Sequence, residues 1–283
     1  MPGPQAWIGR EERARDLLDE PLARRWLATF DLAQPAAGAV PQGIHWCLCV
    51  PDAPTAALGP DGHPMRADAP DSFLPPVAAP RRMWAGSACE FLAPLGTGAR
   101  VERVSRIEAV AEKQGASGPL TFVTILHETA ADGMLAVRER QTLVYRAAPP
   151  PDSPPAPPPP GETRFDEAGW DAVERVTPSM ALLFRYSALT FNTHRIHYDA
   201  DYVRAVESYR GPVVHGPLMG SLLLQLAARR FGDNALTRFA FRALSPAVAD
   251  EPLVLALRGA GDAIELGVFA ADGREVMQAS AGV

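Results

Sequence analysis

The sequence is poor in cysteine and lysine and has no long apolar run. Its three cysteines, Cys47, Cys49 and Cys89, cannot all form disulfides with one another. The N-terminal residues do not show a long apolar run that follows basic residues. We therefore expect a reduced, cytoplasmic protein. No segment approaches the roughly 20 consecutive apolar residues of a membrane-spanning helix, which argues against a membrane partner. The formal net charge of -6, with both signs mixed along the chain, argues against a dedicated nucleic-acid surface.

Lys113 is the only lysine, so arginine carries nearly all of the positive charge. Arginine binds phosphate and carboxylate groups through two parallel hydrogen bonds, which would suit an anionic ligand. The chain is also rich in alanine and proline, and we take a general bias of composition as the main cause of the arginine content.

Proline is concentrated in one segment. Nine of the twelve residues at 149–160 are proline, which favours extended polyproline II structure and leaves few N–H groups for a helix or a sheet. We expect a boundary there, with a first domain at 1–148, a linker at 149–162 and a second domain at 163–283. Each domain has an ordinary size, and 47% hydrophobic residues are enough to form a core in both.

The hydrophobic spacing predicts similar element orders in the two halves. The first half opens with a helix at 10–30, which Pro21 splits. Its strands are predicted at 83–92, 99–110, 120–127 and 134–145. The second half is predicted to contain a strand at 180–190, helices at 201–208 and 217–231, strands at 237–244, 253–258, 263–269 and 275–279, and a hairpin turn at Asp272-Gly273. An antiparallel sheet wrapped around a helix thus occurs twice, which predicts an α+β fold of two packed units.

The most informative segment is rich in histidine. Residues 190–199 read Thr-Phe-Asn-Thr-His-Arg-Ile-His-Tyr-Asp. Asn192, His194 and His197 put polar and titratable groups on a turn after an apolar run, where a water molecule or a substrate could be held. A helix then begins at His215-Gly216-Pro217, and its free N–H groups can stabilise an oxyanion.

These residues resemble the hydratase motif of the MaoC-like, hotdog-fold (R)-specific enoyl-thioester hydratases and dehydratases. The family motif runs as a catalytic Asp, then Asn-Pro, an aliphatic residue and a catalytic His, with a His-Gly pair after a further short helix. In this sequence Asn192 stands at the Asp position and His194-Arg195 at the Asn-Pro positions. Ile196 takes the aliphatic position, His197 that of the catalytic His, and His215-Gly216 matches the downstream pair.

Further segments in both halves resemble a narrower branch of this superfamily. The segments are Asp61-Gly62-His63-Pro64, 73–77, 80–86, 140–146 and 184–190. The branch contains mesaconyl-C4-CoA, 3-methylfumaryl-CoA and itaconyl-CoA hydratases, together with mitochondrial-type 3-hydroxyacyl-thioester dehydratases. The resemblance implies a double hotdog with two antiparallel sheets, each wrapped around a central helix. It also implies an N-terminal half that shapes the acyl pocket without catalysing, and a catalytic C-terminal half.

Hydration of an α,β-unsaturated thioester needs a base that activates water for attack at Cβ, an acid that protonates Cα, and donors for the enolate oxygen. The resemblance implies His197 as the base and the Gly216 N–H as the oxyanion donor. Asn192 departs from the family's Asp, because an amide cannot exchange a proton at neutral pH. Either Asn192 only positions the water while His197 carries out all of the proton transfer, which we prefer, or another group supplies the second function.

The candidates for that second function, or for a supporting role, are His194, His215, Asp199 and Asp201. A simpler interpretation of Asp199 is that of an acid flanking a helix, because Asp199 precedes the helix predicted at 201–208 and acids are favoured there. His194 and His215 lie next to the proposed catalytic groups in the motif.

A second carboxylate on the substrate would need a cation, and Arg185 and Arg195 lie close in sequence to the proposed catalytic groups. The arginines predicted to contact the CoA phosphates are Arg81, Arg82, Arg204 and Arg210. His45 lies near Cys47 and Cys49, but this apolar segment offers neither a fourth ligand nor the paired spacing of a zinc site. We therefore predict no metal and no cofactor.

Together these observations predict a cofactor-independent hydro-lyase. It would hydrate a short, branched, dicarboxylic enoyl-CoA such as mesaconyl-C4-CoA or itaconyl-CoA, and catalyse the reverse dehydration. The alternatives that stay open are a 3-hydroxyacyl-thioester dehydratase of fatty-acid metabolism, a hotdog thioesterase and a non-catalytic acyl-CoA-binding subunit. Acyl-CoA is the predicted partner, although the carrier could also be acyl carrier protein. A homodimer is compatible with the resemblance, although two hotdogs in one chain already mimic the usual dimer.

Overall fold

The computed structural model of the protein describes residues 3–35, 38–65, 72–115, 118–150 and 153–283. The strands in these ranges are β1 (Glu11–Leu17), β2 (Ala39–Val40), β3 (Arg81–Phe91), β4 (Leu95–Gly96), β5 (Arg100–Gly115), β6 (Gly118–Ala131), β7 (Met134–Arg146), β8 (Ala172–Val176), β9 (Arg238–Ala243), β10 (Leu253–Ala260), β11 (Ala263–Ala270) and β12 (Glu275–Gly282). The α-helices are α1 (Glu20–Thr29), α2 (Met180–Leu189), α3 (Ala200–Ala205) and α4 (Gly216–Phe231). Within the described ranges, no helix is long and apolar enough to cross a membrane.

Ten of these strands form one sheet that is built from two matching halves. The strand order is β1-β5-β6-β7-β3-β9-β12-β11-β10-β8, so five strands of the first half are followed by five of the second half in mirror order. β3 and β9 meet at the centre and pair antiparallel, from Gly86 opposite Arg242 to Glu90 opposite Arg238. Without this pairing each strand would leave a row of backbone N–H and C=O groups without partners. The predicted α+β fold is confirmed, and the two antiparallel sheets expected for it join edge to edge into one.

Helix α4 lies in the core. Its residues from Pro217 to Ala227 are all buried, which fits a helix that is apolar on nearly every side. In the described part of the first half, the segment between α1 and β3 contains short 3-10 turns, including Ile44–Cys47. Trp46 from this turn packs edge-on against Phe241 of β9, with ring centroids 5.9 Å apart. Of the central helices expected in the two halves, the described residues therefore contain a long one only in the second half, and Trp46 occupies part of the core of the first.

The start of the chain differs from the helix predicted at 10–30. Residues Glu11–Leu17 form strand β1, which pairs with β5, and the helix begins only at Glu20. Pro21 does not split a helix but stands in the first turn of α1, where its missing N–H costs no hydrogen bond. The Asp19 side chain caps this turn by accepting a hydrogen bond of 2.7 Å from the backbone N–H of Leu22.

The strand predicted at 180–190 is wrong, because this segment forms helix α2. Ser179 caps the helix by accepting a hydrogen bond from the Leu182 N–H at 3.2 Å. The buried residues of α2 are Leu183, Tyr186 and Leu189, which are three residues apart and so lie on one face. A short apolar run of this kind has no period strong enough to separate a strand from a buried helix.

The other predicted elements of the second half are confirmed within a few residues of their ends. The segment at 201–208 forms α3, and the segment at 217–231 forms α4. The last four predicted strands correspond to β9, β10, β11 and β12. The predicted turn lies at Asp272-Gly273, where Gly273 has a φ of +83° and donates its N–H to Ala270.

The proline-rich segment packs against the second half. Ala156 accepts a hydrogen bond from the Arg210 N–H and donates one to the Ser208 carbonyl. The Arg210 side chain also donates to the Pro157 carbonyl at 2.6 Å. The segment therefore lies on the residues just before α4, while the domain limits at 148 and 163 stay predictions.

The β3–β9 pairing yields a stability prediction at Gly86. A Cβ on Gly86 would collide with the Phe241 carbonyl oxygen of the neighbouring strand. We expect Gly86→Ala to lower the free energy of unfolding by about 1–3 kcal/mol, as overpacking commonly does. Urea unfolding followed by circular dichroism measures this change. The matched control is Gly96→Ala, because a Cβ there meets nothing within 4 Å. Equal stability of the two variants would contradict a tight contact at this pairing.

Candidate active site

The loop after α2 turns two histidines inward. Phe191 adopts a left-handed conformation with a φ of +47°, and the Asn192 N–H donates to the Ser187 carbonyl at 2.8 Å. The Asn192 side-chain oxygen accepts a hydrogen bond from the His194 N–H at 2.9 Å. A 3-10 turn at Arg195–His197 follows. This folding buries the imidazoles of His194 and His197.

His197 is held in one tautomer. Its Nδ1 lies 2.7 Å from the Val213 carbonyl oxygen, which can only accept, so Nδ1 carries the proton and Nε2 keeps its lone pair. Burial lowers the pKa of His197 to about 4, against a smaller raising effect of the Val213 hydrogen bond. At neutral pH the ring is therefore neutral and can accept a proton at Nε2.

His215 supports His197 by stacking. The two rings lie nearly parallel, with centroids 3.5 Å apart and an interplanar angle of 18°. Nε2 of His215 lies 2.9 Å from the Ser187 hydroxyl, and Nδ1 is buried without a hydrogen bond. Burial, and then the nearby His197, hold the pKa of His215 well below its usual value. His215 thus fixes the plane of the His197 ring while staying neutral.

The N-terminus of α4 faces the same histidines. His215 is the residue before the helix, Gly216 is its first residue, and Pro217 has no N–H. The Gly216 N–H makes no hydrogen bond to any residue in the described ranges. Such an unsatisfied N–H, at the positive end of a 16-residue helix, is suited to bind an oxyanion.

A cavity of about 560 Å³ brings these groups together. Its volume is in the range of small-molecule sites. Of the predicted catalytic and supporting residues, the cavity wall contains Asn192, His194, His197, His215 and Gly216. The first half contributes apolar side chains to the wall, including Phe73, Leu74, Met83, Trp84 and Leu143. The sequence motif therefore forms one site, and the first half closes it.

Sequence reasoning missed the contribution of Asp61 and His63 to this site. Nδ1 of His63 lies 3.0 Å from the Asp61 carboxylate, and its ring lies 3.9 Å from that of His194, centroid to centroid. The segment Asp61-Gly62-His63-Pro64 was recognised only as part of the resemblance. No spacing in the sequence indicates that it meets a loop more than 120 residues away.

The loop around Gly62 is docked on the histidine loop. The Thr193 hydroxyl donates to the Gly62 carbonyl at 2.6 Å, and the Arg195 N–H donates to the Asp61 carbonyl at 2.8 Å. Gly62 has a φ of +85°, and a Cβ there would collide with the Thr193 carbonyl. Only glycine fits this close approach without strain.

Arg185 and Arg195, the predicted carboxylate clamp, do not belong to the cavity wall. Arg185 is exposed and donates to the Ala28 carbonyl at 3.1 Å. Arg195 pairs with Asp199 at 2.8 Å and donates to the Pro60 carbonyl. Closeness in sequence failed here because both guanidiniums bind protein groups outside the cavity wall.

Three of the four arginines predicted to bind CoA phosphates have protein partners instead. Arg81 is buried in an ion pair with Glu207. Arg210 makes two hydrogen bonds to the Glu251 carboxylate, and Arg204 donates to the Arg210 carbonyl. Of the four, Arg82 alone is part of the cavity wall.

Asp199 is the acid that flanks helix α3, as its simpler interpretation predicts. Its carboxylate accepts the Tyr202 N–H at 3.0 Å and so caps α3. The Tyr202 hydrogen bond and then the Arg195 guanidinium hold the pKa of Asp199 below its usual value. Asp201 is exposed in the first turn of the same helix. Neither acid belongs to the cavity wall, so a supporting catalytic role for Asp199 is not supported.

A second polar cluster reaches the cavity through Glu139. The Glu139 carboxylate accepts hydrogen bonds from Trp46 Nε1, at 3.1 Å, and from the Ser87 hydroxyl. Burial raises its pKa, and these hydrogen bonds only partly offset the rise. His45 and Cys89 lie behind Glu139, with His45 Nε2 3.7 Å from the carboxylate and 3.8 Å from the Cys89 sulfur.

Two groups of three side chains in the described ranges have metal-ligand atoms within 4.8 Å of one another. One group is His45, Cys89 and Glu139, and the other is Asp61, His63 and His194. Cys47 and Cys49 belong to neither group. A metal in the second group would displace the hydrogen bond between Asp61 and His63, so we treat these two residues as a hydrogen-bonded pair.

The chain is similar to known proteins over nearly its whole length. Residues 43–249 match the family of hydroxyacyl-thioester dehydratases type 2. The chain is 40% identical to the mesaconyl-C(4)-CoA hydratase of Chloroflexus aurantiacus over 282 residues, which cover 97% of this chain and 96% of that protein.

Two solved structures from Mycobacterium tuberculosis share the fold. The structure of HtdX has a TM-score of 0.69 and 17% identity, and the alignment covers 97% of this chain and 100% of that one. A second protein, described as having a double hotdog fold, has a TM-score of 0.60 and 14% identity over 97% of this chain and 95% of that one. At this low identity the likeness shows the fold alone.

The geometry of His197 gives a prediction that does not depend on any reaction. We expect its imidazole to titrate near pH 4 and to carry its proton on Nδ1 at neutral pH, because burial disfavours the charged form and Val213 accepts the Nδ1–H. NMR of the protein with ¹⁵N-labelled histidine measures both properties. The signal is assigned by its loss in His197→Gln. A midpoint near the ordinary value of about 6.5 would contradict the buried, neutral ring.

Proposed function

Because the chain belongs to the hydroxyacyl-thioester dehydratase type 2 family, we propose that it hydrates a short, branched, dicarboxylic enoyl-CoA of the mesaconyl-C4-CoA type. The reverse dehydration uses the same site. The enzyme is a hydro-lyase, in agreement with its hydratase relative. The observation that carries this proposal is that His197, with its free Nε2, and Gly216, with its free N–H, both line one cavity.

Each group has one task in this reaction. Nε2 of His197 removes a proton from water as the water oxygen attacks Cβ. Electrons of the double bond move toward the thioester oxygen, where the Gly216 N–H and the helix dipole stabilise the developing charge. The Asn192 amide holds the water, since it lines the cavity and its oxygen is already fixed by the His194 N–H.

Arg82 is the cation for the second carboxylate of the substrate. It lines the cavity next to the histidines, and its guanidinium makes no hydrogen bond or ion pair with any other residue that the structure describes. Its charge acts on Asp61, His63 and His194, so the guanidinium lies close to all three. A guanidinium without a partner binds a carboxylate through two hydrogen bonds. Arg82 therefore takes the role first predicted for Arg185 and Arg195.

The carrier and the location follow from the same proposal. We propose CoA as the carrier, in line with the hydratase relative named above. The three cysteines are free and buried, which is consistent with the reduced environment of the cytoplasm. A homodimer stays a prediction, and light scattering after gel filtration measures it.

The first test is hydration of mesaconyl-C4-CoA, itaconyl-CoA and crotonyl-CoA, followed by loss of the enoyl-thioester absorbance. We expect a dicarboxylic substrate to be preferred and His197→Ala to lower kcat by about 10²–10⁴-fold, as loss of a general base does. Asp201→Asn is the control, because Asp201 is close in sequence but exposed and outside the cavity. Release of free CoA would instead indicate a thioesterase, and acyl-CoA binding without turnover would indicate a non-catalytic subunit.

The second test concerns Arg82. We expect Arg82→Gln to raise KM for mesaconyl-C4-CoA by about 10–100-fold, since a charged hydrogen bond to the carboxylate contributes about 1.5–3 kcal/mol. KM for crotonyl-CoA, which has no second carboxylate, should not change. Arg185→Gln is the matched control and should alter neither value, because Arg185 is outside the cavity wall. A KM for crotonyl-CoA that rises equally would contradict a carboxylate contact.

A further inference from the structure

The proposed reaction needs a group that gives a proton to Cα, and the histidine loop does not supply one. Asn192 stands where the family has an acid, and its amide cannot exchange a proton at neutral pH. His194 is buried, and its pKa is held far below the usual range by desolvation first and then by the neighbouring imidazoles and Arg82. A proton donor for Cα other than the base His197 must therefore come from another element that faces the cavity.

The Asp61–His63 pair has the geometry of such a donor. Both residues are on the loop of the first half that is docked on the histidine loop, and His63 lines the cavity. The Asp61 carboxylate accepts a hydrogen bond of 3.0 Å from the Nδ1–H of His63. Nε2 of His63 is therefore the nitrogen that can exchange a proton. The rings of His63, His194 and His197 follow one another, with centroids 3.9 Å and then 5.5 Å apart.

The two histidines at the ends of this row have different electrostatic surroundings. Burial lowers the pKa of His63, and Arg82 adds to this, while the hydrogen bond and charge of Asp61 and the charge of Glu207 offset part of the fall. Asp61 itself keeps its charge: burial raises its pKa, but the hydrogen bonds and charge of His63 outweigh this and lower it. His197 has no carboxylate partner among the described residues. A carboxylate partner stabilises an imidazolium better than a neutral carbonyl does, so these hydrogen-bond partners assign His63 as acid and His197 as base.

We propose that the Asp61–His63 pair of the first half is the second proton-transfer group of the hydratase reaction and takes over the role of the family's Asp. The proposal rests on the hydratase function proposed above. It replaces the preferred expectation that His197 carries out all of the proton transfer. It also gives the first half a catalytic residue, where the resemblance implied only a share in shaping the pocket.

Hydration uses His197 as the base and His63 as the acid. A water proton goes to Nε2 of His197, and the water oxygen forms a bond to Cβ. The π electrons of the double bond move into an enolate, whose oxygen is held by the Gly216 N–H. Cα then takes the proton from Nε2 of protonated His63, and the thioester carbonyl re-forms. A proton passes from His197 to His63 through solvent before the next turnover, and dehydration reverses each step.

The experiment measures kcat and KM for the dicarboxylic substrate in His63→Gln and Asp61→Asn. We expect His63→Gln to lower kcat by about 10²–10⁴-fold with little change in KM, because proton transfer and not binding is lost. We expect Asp61→Asn to cause a smaller loss. Asp52→Asn is the matched control, because Asp52 is an exposed acid on the same half and outside the cavity wall.

The pH dependence separates a proton donor from a structural residue. Hydration requires protonated His63, so kcat falls as pH rises through the pKa of His63, which burial holds below its usual value. Asp61→Asn removes the carboxylate that stabilises the imidazolium and should shift this fall to lower pH. Arg82, Glu207 and His194, which also face His63, are unchanged in this variant.

A rescue completes the test. Installing the family's acid with Asn192→Asp in the His63→Gln background should restore kcat by at least about tenfold. The proposal is overturned if His63→Gln keeps kcat within about threefold of the unmodified enzyme. It is also overturned if Asn192→Asp restores nothing and Asp61→Asn leaves the pH profile unchanged.

Two further measurements keep these outcomes distinct. Thermal unfolding of each variant shows whether it is folded, and if His63→Gln is not, the pH profile of Asp61→Asn decides. Failure of the proposed function has another signature, namely no hydration by the unmodified enzyme or full activity in His197→Ala.

Discussion

The antiparallel pairing of β3 with β9 is the constraint on which the rest of the structure depends. It joins two five-stranded halves into one sheet and leaves neither central edge exposed. The same pairing sets Trp84 at the start of β3 beside Gly216, whose Cβ would lie 3.8 Å from the Trp84 carbonyl. The cavity lies where the two halves meet, so its wall necessarily contains residues from both. A site that uses a loop from one half and a helix start from the other follows directly from this geometry.

The second feature of the site is a cluster of buried histidines that carry no charge at neutral pH. His194, His197 and His215 are packed together with their pKa values lowered, chiefly by desolvation. Neutral imidazoles can stack closely, as His197 and His215 do, because no like charges repel. Arg82 of the first half acts on His194, while Asp61 of the first half and Glu207 of the second half act on the neighbouring His63. The second half thus supplies the neutral, buried imidazoles, and the charged groups near them come from both halves.

The success of the sequence predictions depended on whether the deciding interaction was local. Helix α4 and strands β9 to β12 were predicted because their apolar spacing and turn residues are local properties. The prediction failed for α2, since a buried helix and a buried strand are equally apolar, and for β1, which is a strand only because it pairs with β5. Arg185 and Arg195 were chosen by closeness in sequence. Partner contacts decide the role of an arginine, and these appear only in the folded chain.

The sequence by itself determined the family, the motif from Asn192 to His197, and the helix start at Gly216, because each is written in consecutive residues. It also showed that the family's Asp is replaced by an amide. Only the tertiary structure decided what surrounds that amide. It brought Asp61 and His63 to the histidine loop through a glycine that tolerates close backbone contact. It also left Arg82 facing the cavity while the other candidate arginines found partners. These outcomes depend on contacts between segments far apart in the chain, which no local pattern encodes.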